Sequence, residues 1–209
     1  MTRSIAFVLF EDAEELDFVG PWEVLSFTAN TVPDTCRVFT VAARAGEVRC
    51  AKGLRVVADY SFDDCPPADI LLVPGGMGTR KEVDNPRMID FLERLGAGCE
   101  IVTSVCTGAF LIERAGFLKG RRGVTHWASM DRLRALGTVT VVEERFVDEG
   151  PVISAAGVSA GIDMALHLVG RLWGAETARR IQKGIEYFPE PPYADVPLPV
   201  TVAAGVRTV

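Results

Sequence analysis

The stretch Glu100-Ile101-Val102-Thr103-Ser104-Val105-Cys106-Thr107-Gly108-Ala109-Phe110-Leu111-Ile112 decides the fold class. After Glu100 the run to Val105 is apolar apart from Thr103 and Ser104, the length and composition of a strand buried on both faces. Gly108 to Ala115 reads as a helix, closed by Gly116. Only Cys106 and Thr107 separate the two, so the chain must turn sharply from strand into helix. A free cysteine taken alone is most often a small buried side chain. Set in Ser104-Val105-Cys106-Thr107-Gly108 it reads instead as a reactive thiol, whose pKa the helix N-terminus is expected to lower. Cys106 is therefore the centre of the expected chemistry.

The same alternation extends in both directions. Upstream, Ile5 to Phe10 reads as a buried strand, and Gly20-Pro21 starts a helix from Trp22 to Ala29 because proline suits a first helical position. Arg37 to Ala42 and Leu54 to Val57 are further strands. Asp69 to Val73 is a strand that ends at Pro74-Gly75-Gly76, and Asn85-Pro86 opens a helix to about Leu95. Downstream come a short strand at Arg122 to Thr125, a helix from Ala128 to Leu136, and a hairpin-like pair, Thr140 to Val142 with Glu144 to Val147. A strand from Pro151 to Ser154 then leads through Ala155-Ala156-Gly157 into helices Ser159 to Trp173 and Glu176 to Tyr187. Continuous apolar strands alternating with helices imply an α/β fold with a parallel sheet covered on both faces. One domain is expected over residues 1–188, followed by a proline-rich tail, 189–209, extended along its own or a neighbouring subunit.

Composition narrows the function. A net charge of −6 and a pI near 5.1 leave no broad basic surface for phosphates, so nucleic acid is not an expected partner. No apolar run reaches membrane-spanning length, and Ile5 to Phe10 is too short for a signal segment, so a soluble cytoplasmic protein without a membrane partner is expected. The five cysteines, Cys36, Cys50, Cys65, Cys99 and Cys106, form no C-x-x-C pair, which argues against a disulfide scaffold or a zinc finger. His126 and His167 are the only imidazoles and lie in separate segments, so no metal is expected.

In an open α/β sheet, ligands gather beyond the carboxyl ends of the strands. Leu16-Asp17, Pro74-Gly75-Gly76 and Val105-Cys106 are expected to meet there. Gly75 and Gly76 read as a tight turn or as backbone N–H donors that approach a reacting atom, with the Thr107 N–H as a second donor; the oxyanion role is favoured. Asp17 alone reads as a loop carboxylate ahead of a helix. His126, beside Trp127 at a strand end, reads equally as a packed structural residue or as a neighbour of Cys106. His167, on an apolar helix face, reads as core or interface.

Leu16-Asp17-Phe18-Val19-Gly20-Pro21-Trp22-Glu23-Val24, Pro74-Gly75-Gly76, Thr103-Ser104-Val105-Cys106-Thr107-Gly108 and Thr125-His126-Trp127 together resemble the ThiJ/PfpI superfamily of glutamine amidotransferase-like proteins. Within it, Ala156-Gly157-Val158-Ser159-Ala160-Gly161-Ile162-Asp163 and Glu186-Tyr187 before a Pro-x-Pro-Pro run resemble the isocyanide hydratase branch. The resemblance implies a flavodoxin-like three-layer sandwich, a homodimer, and a protonatable carboxylate beside the elbow cysteine. Asp17 takes that position and becomes a candidate general acid/base. It also implies that the helix after Gly157 lies beside the nucleophile, where Gly157 and Val158 would let it shift. Protease and glutaminase members place a histidine after the cysteine; Thr107 stands there in this chain, which disfavours that chemistry.

Three functions remain from the sequence. The first is hydration of a small organic isocyanide to an N-substituted formamide, with no cofactor, through a thioimidate on Cys106. The second is a ligand or oxidant sensor, because the same segments resemble the amino-terminal domains of AraC-type regulators. The end of the chain at Val209, without room for a helix-turn-helix domain, favours the enzyme. The third is glyoxalase- or deglycase-like chemistry on small aldehydes.

Overall fold

The computed structural model describes residues 2–193. Its strands and helices are β1 (Arg3–Val8), α1 (Glu15–Thr31), β2 (Cys36–Ala42), β3 (Gly46–Arg49), β4 (Arg55–Ala58), β5 (Tyr60–Ser61), β6 (Ile70–Val73), α2 (Thr79–Glu82), α3 (Pro86–Gly96), β7 (Ile101–Val105), α4 (Gly108–Arg114), β8 (Arg122–Gly123), α5 (Met130–Ala135), β9 (Thr140–Val141), β10 (Phe146–Asp148), β11 (Val152–Ala155), α6 (Ala160–Trp173) and α7 (Ala175–Gly184). The main sheet runs β10-β11-β7-β6-β1-β2-β5, parallel throughout except for the antiparallel edge strand β10.

The apolar strands explain the three layers. In β1 and the residues after it, Ile5, Phe7 and Leu9 join one core while Ala6, Val8 and Phe10 join the other. In β6, Ile70 and Leu72 face the first core, and Leu71 and Val73 the second. Successive side chains point to opposite faces, so strands that are apolar at every position require cover on both. Phe18, Val24 and Leu25 of α1, Met164 and Leu168 of α6 and Ile181 of α7 supply the first. Met88, Phe91 and Leu92 of α3 and Ala109 to Ile112 of α4 supply the second. The expected α/β sandwich is the observed fold.

Several local expectations need correction. The first helix does not begin at Pro21. It begins at Glu15, with Glu15 and Asp17 in its first turn, and Pro21 lies inside it. Acidic residues suit the positive end of a helix, and that signal outweighs proline. A proline there cannot donate to the carbonyl four residues back, that of Asp17, but its ring fits against Gly161, whose missing Cβ would lie 2.9 Å from the proline Cγ. The pair of strands expected around 140–147 is not a hairpin: β9 pairs in parallel with β8, and β10 pairs with β11. The hairpins that do form are β10–β11 and β3–β4; the first strand of the latter, Gly46–Arg49, lacks the apolar alternation that marks a strand in sequence. The short β5 and α2 were likewise not expected. Residues 189–193 form neither helix nor strand, and the rest of the expected tail lies outside the described residues. No helix among the described residues is long and apolar enough to cross a membrane.

Candidate active site

Strand register brings the site together. Val73 pairs with Ser104, and Ala155 with Val105, so Gly75 and Cys106 leave their strands side by side and Ala156 follows at the same level. The Cys106 N–H is held between the carbonyls of Ala155 (3.1 Å) and Ala156 (2.9 Å), and its own carbonyl accepts from the Thr125 hydroxyl at 2.8 Å. These contacts fix Cys106 at φ +57°, a left-handed conformation uncommon for a residue with a Cβ. Such strain costs about 1–3 kcal/mol and persists only where the surroundings over-determine it.

The Cys106 side chain is fully buried. Burial pushes its pKa up, the neighbouring Asp17 charge adds to the rise, and the N–H groups of Thr107 and Val158 with the Thr107 hydroxyl oppose it. The expected lowering by the helix N-terminus is therefore overturned. Donors do favour the ionised sulfur, but loss of water around it dominates.

Asp17 is not a loop carboxylate; it sits in the first turn of α1, with no exposed surface. Its Oδ2 accepts the Gly75 N–H at 2.8 Å, while Oδ1 has no hydrogen-bond partner. Burial, with a smaller contribution from Glu14, raises its pKa from 3.8 to about 8. The neighbouring Cys106 side chain opposes part of that rise. At neutral pH the pair is thus an acid carrying its proton beside a thiol whose ionisation two N–H groups favour.

The glycine turn serves this pair differently from expectation. The Gly75 N–H is engaged by Asp17, and the Gly76 N–H donates to Thr107 Oγ1 at 2.9 Å, so neither is free to face the sulfur. The backbone N–H groups that favour the ionised sulfur are those of Thr107 and Val158. Gly75 is needed for proximity instead: a Cβ there would lie 2.5 Å from the Thr107 nitrogen and 2.9 Å from Asp17 Oδ2. The Thr107 hydroxyl also donates to the Gly76 carbonyl at 3.2 Å and lies 3.1 Å from the Thr79 hydroxyl. The side chain of Thr107 is therefore a brace between the elbow and the glycine turn.

His126 caps the short helical turn Trp127–Ser129, its Nδ1 accepting from the Ala128 N–H at 3.3 Å. Its ring lies against Gly157, where a Cβ would stand 2.3 Å from His126 Cδ2. Burial lowers its pKa, with Glu14 acting in the opposite sense. His126 is thus set against the Gly157-Val158 turn, which carries a donor to Cys106. Val158 is held at φ +43°, a costly conformation for a β-branched residue. His167 is remote from these contacts, bonded to Asp148 Oδ2 at 2.8 Å.

The DJ-1/PfpI family matches residues 3–171. The chain belongs to this family. It is 38% identical over 193 residues to the isonitrile hydratase of Pseudomonas putida, covering 92% of this chain and 82% of that protein. The crystal structure of a ThiJ/PfpI family protein from Pseudomonas syringae superposes with a TM-score of 0.85 at 30% identity, over 93% of this chain and 78% of that one. The HTH-type transcriptional regulator CdhR of Pseudomonas aeruginosa is 27% identical over 88% of this chain, which spans about half (54%) of that regulator. In this DJ-1/PfpI chain the sequence did not single out Glu14 or Lys52. Glu14 is buried, donates its N–H to the Gly75 carbonyl at 2.9 Å and pairs with Lys52 from the turn of the β3–β4 hairpin. The signal available was the acidic run ahead of Asp17, but nothing local indicates that a hairpin turn 38 residues away closes over it.

Proposed function

We propose that this DJ-1/PfpI chain adds water to isocyanides, giving N-substituted formamides without a cofactor. The observation that carries the reading is the fully buried Asp17 carboxyl, its pKa raised by that burial, beside Cys106 in a chain 38% identical to an isonitrile hydratase.

The Cys106 sulfur attacks the terminal carbon of R–N≡C, forming the S–C bond, and the thiol proton passes to the Asp17 carboxyl group as that group gives up its own. Asp17 delivers a proton to that carbon, which yields a thioimidate, R–N=CH–S–Cys106. Water then adds to the same carbon while Asp17 takes a proton from it and passes it to nitrogen. The C–S bond breaks, releasing R–NH–CHO, and the remaining proton restores the thiol. The net change is one water added. The N–H groups of Thr107 and Val158 favour the ionised sulfur and steady the charge on it, while the Gly75 N–H holds the carboxyl in place.

We also propose a homodimer. Trp22 and Phe27 are not its apolar face, since both pack against the chain's own core and Trp22 meets Phe7 edge-on at 5.1 Å. Leu16 and Val19 on α1, with Leu54 and Val57 on the β3–β4 hairpin, are exposed apolar side chains that a partner would cover. A panel of a small alkyl isocyanide, methylglyoxal and a small amide, each with wild type and Cys106→Ala, tests the function. Formamide from the isocyanide with wild type alone is expected. Turnover of methylglyoxal without isocyanide hydration would replace this reading with the aldehyde one, and no turnover would favour the sensor.

A further inference from the structure

Of two segments singled out in the sequence, the turn from Ala156 to Asp163 enters the chemistry above only through Val158, and the Glu186-Tyr187 pair does not enter it. The structure joins them through one side chain. Arg145, on the loop before β10, donates from Nε to Asp163 Oδ2 at 2.6 Å and from Nη2 to Ser159 Oγ at 3.1 Å. Arg145 and Asp163 are also the groups that act on the Tyr187 phenol, whose pKa burial raises. The carbonyl of Arg145 also accepts the Ala156 N–H at 3.0 Å.

Arg145 thus grips the chain on both sides of Gly157-Val158: at Ala156 through its backbone, and at Ser159 and Asp163 through its guanidinium. Between those anchors stands Val158 at φ +43°, a conformation that relaxes unless it is held. We propose that Arg145 is a positioning residue for the Cys106 site, clamping the first turn of α6 so that the Val158 N–H stays directed at the sulfur. The clamp touches neither substrate nor sulfur. Arg145 and Asp163 are partly exposed, with side-chain accessibilities of 47% and 29%, so the ion pair contributes little to global stability. Its effect is on geometry.

This inference rests on Cys106 as the reacting thiol, but its test reads thiol chemistry and not hydration, so the two can fail separately. The experiment follows the rate of Cys106 carbamidomethylation by iodoacetamide against pH, located by peptide mass spectrometry, for wild type, Arg145→Ala, Arg145→Lys and Ser159→Ala. The midpoint of the profile reports the thiol's ionisation; the plateau reports access. The other groups that set the midpoint, Asp17 on α1 with Glu14 and Lys52 behind it and His126 across Gly157, are unchanged in every variant. The Arg145→Ala midpoint is expected to move to higher pH by about half a unit to one unit, the size of one lost hydrogen bond. Arg145→Lys should restore part of the shift and Ser159→Ala should reproduce part of it, all with melting temperatures close to wild type. Midpoints within 0.2 unit, on the order of 0.3 kcal/mol, for Arg145→Ala and Ser159→Ala alike would overturn the proposal. So would equal shifts in Arg145→Ala and Arg145→Lys. If Arg145→Ala fails to fold, the Ser159→Ala and Arg145→Lys profiles decide by the same criterion.

Discussion

Replacing Asp17 with asparagine should make the protein more stable in alkali and much less active. Asp17 has no exposed surface, and burial moves the midpoint of its carboxyl from 3.8 to about 8. Between those values the folded protein holds the proton and the unfolded chain has released it. The stability from the neutral acid is thus fully present below pH 3.8 and is lost as pH rises toward 8. At about 1.4 kcal/mol per decade the loss has an upper bound of roughly 6 kcal/mol, reduced by any relaxation around the charge. The asparagine would keep an oxygen for the Gly75 N–H but cannot ionise. The melting temperature of the variant should therefore lack the alkaline decline seen in wild type. A domain of this size moves about 2–4 °C per kcal/mol, so between pH 5 and pH 9 the two proteins should diverge by about 5 °C, and by no more than about 16 °C, in favour of the variant. The lowered pKa of His126 acts on both proteins and cancels in the difference. Hydration by the variant should fall about 100-fold or more, the usual loss when a general acid/base is removed. Melting curves against pH with parallel isocyanide assays are the measurement. Curves that run parallel across this range, or wild-type turnover by Asp17→Asn, would refute the reasoning.

Gly157→Ala should displace the His126 ring, because the new Cβ would stand 2.3 Å from Cδ2; turnover should fall, and adding His126→Ala should recover part of it. Failure of the double variant to recover would show that the turn itself, not the clash, is at fault. Thr107→Val should leave the buried Gly76 N–H without its acceptor and cost about 1–3 kcal/mol in denaturant unfolding, an effect absent from Thr107→Ser, which keeps the hydroxyl. Sedimentation at micromolar concentration should give twice the 22.6 kDa chain mass, and Val57→Asp should shift it toward monomer, since Val57 is 69% exposed.

The sandwich was legible because strands such as Ile70–Val73 are apolar at every position, which only a doubly covered sheet accommodates, and because Cys106 falls between a strand and a helix too close together for any loop. What local sequence could not supply was the third dimension of the site. Helix α1 starts at Glu15, well ahead of its proline, because Pro21 has a close-packed seat against Gly161, a residue far away in the chain. Gly75 and Gly76 were rightly placed beside the elbow, yet their N–H groups are taken by Asp17 and Thr107. The donors that replace them include Val158, aimed by a strained backbone that no residue pattern announces. The ionisation of Cys106 departs from the sequence expectation for a related reason. A helix N-terminus is visible in sequence, whereas complete burial of the sulfur depends on segments from several strands meeting at one level.

Trapping the covalent intermediate tests the chemistry most directly. Wild type mixed with a small alkyl isocyanide is quenched in acid within one turnover, and the intact protein and its peptides are weighed. An increment equal to one isocyanide is expected on the peptide bearing Cys106, accumulating in Asp17→Asn only if carbon protonation can proceed without the acid, and absent from Cys106→Ala, which should also form no formamide. Formamide production by Cys106→Ala, or an adduct on Cys36, Cys50, Cys65 or Cys99 in place of Cys106, would contradict a reaction centred on the elbow thiol.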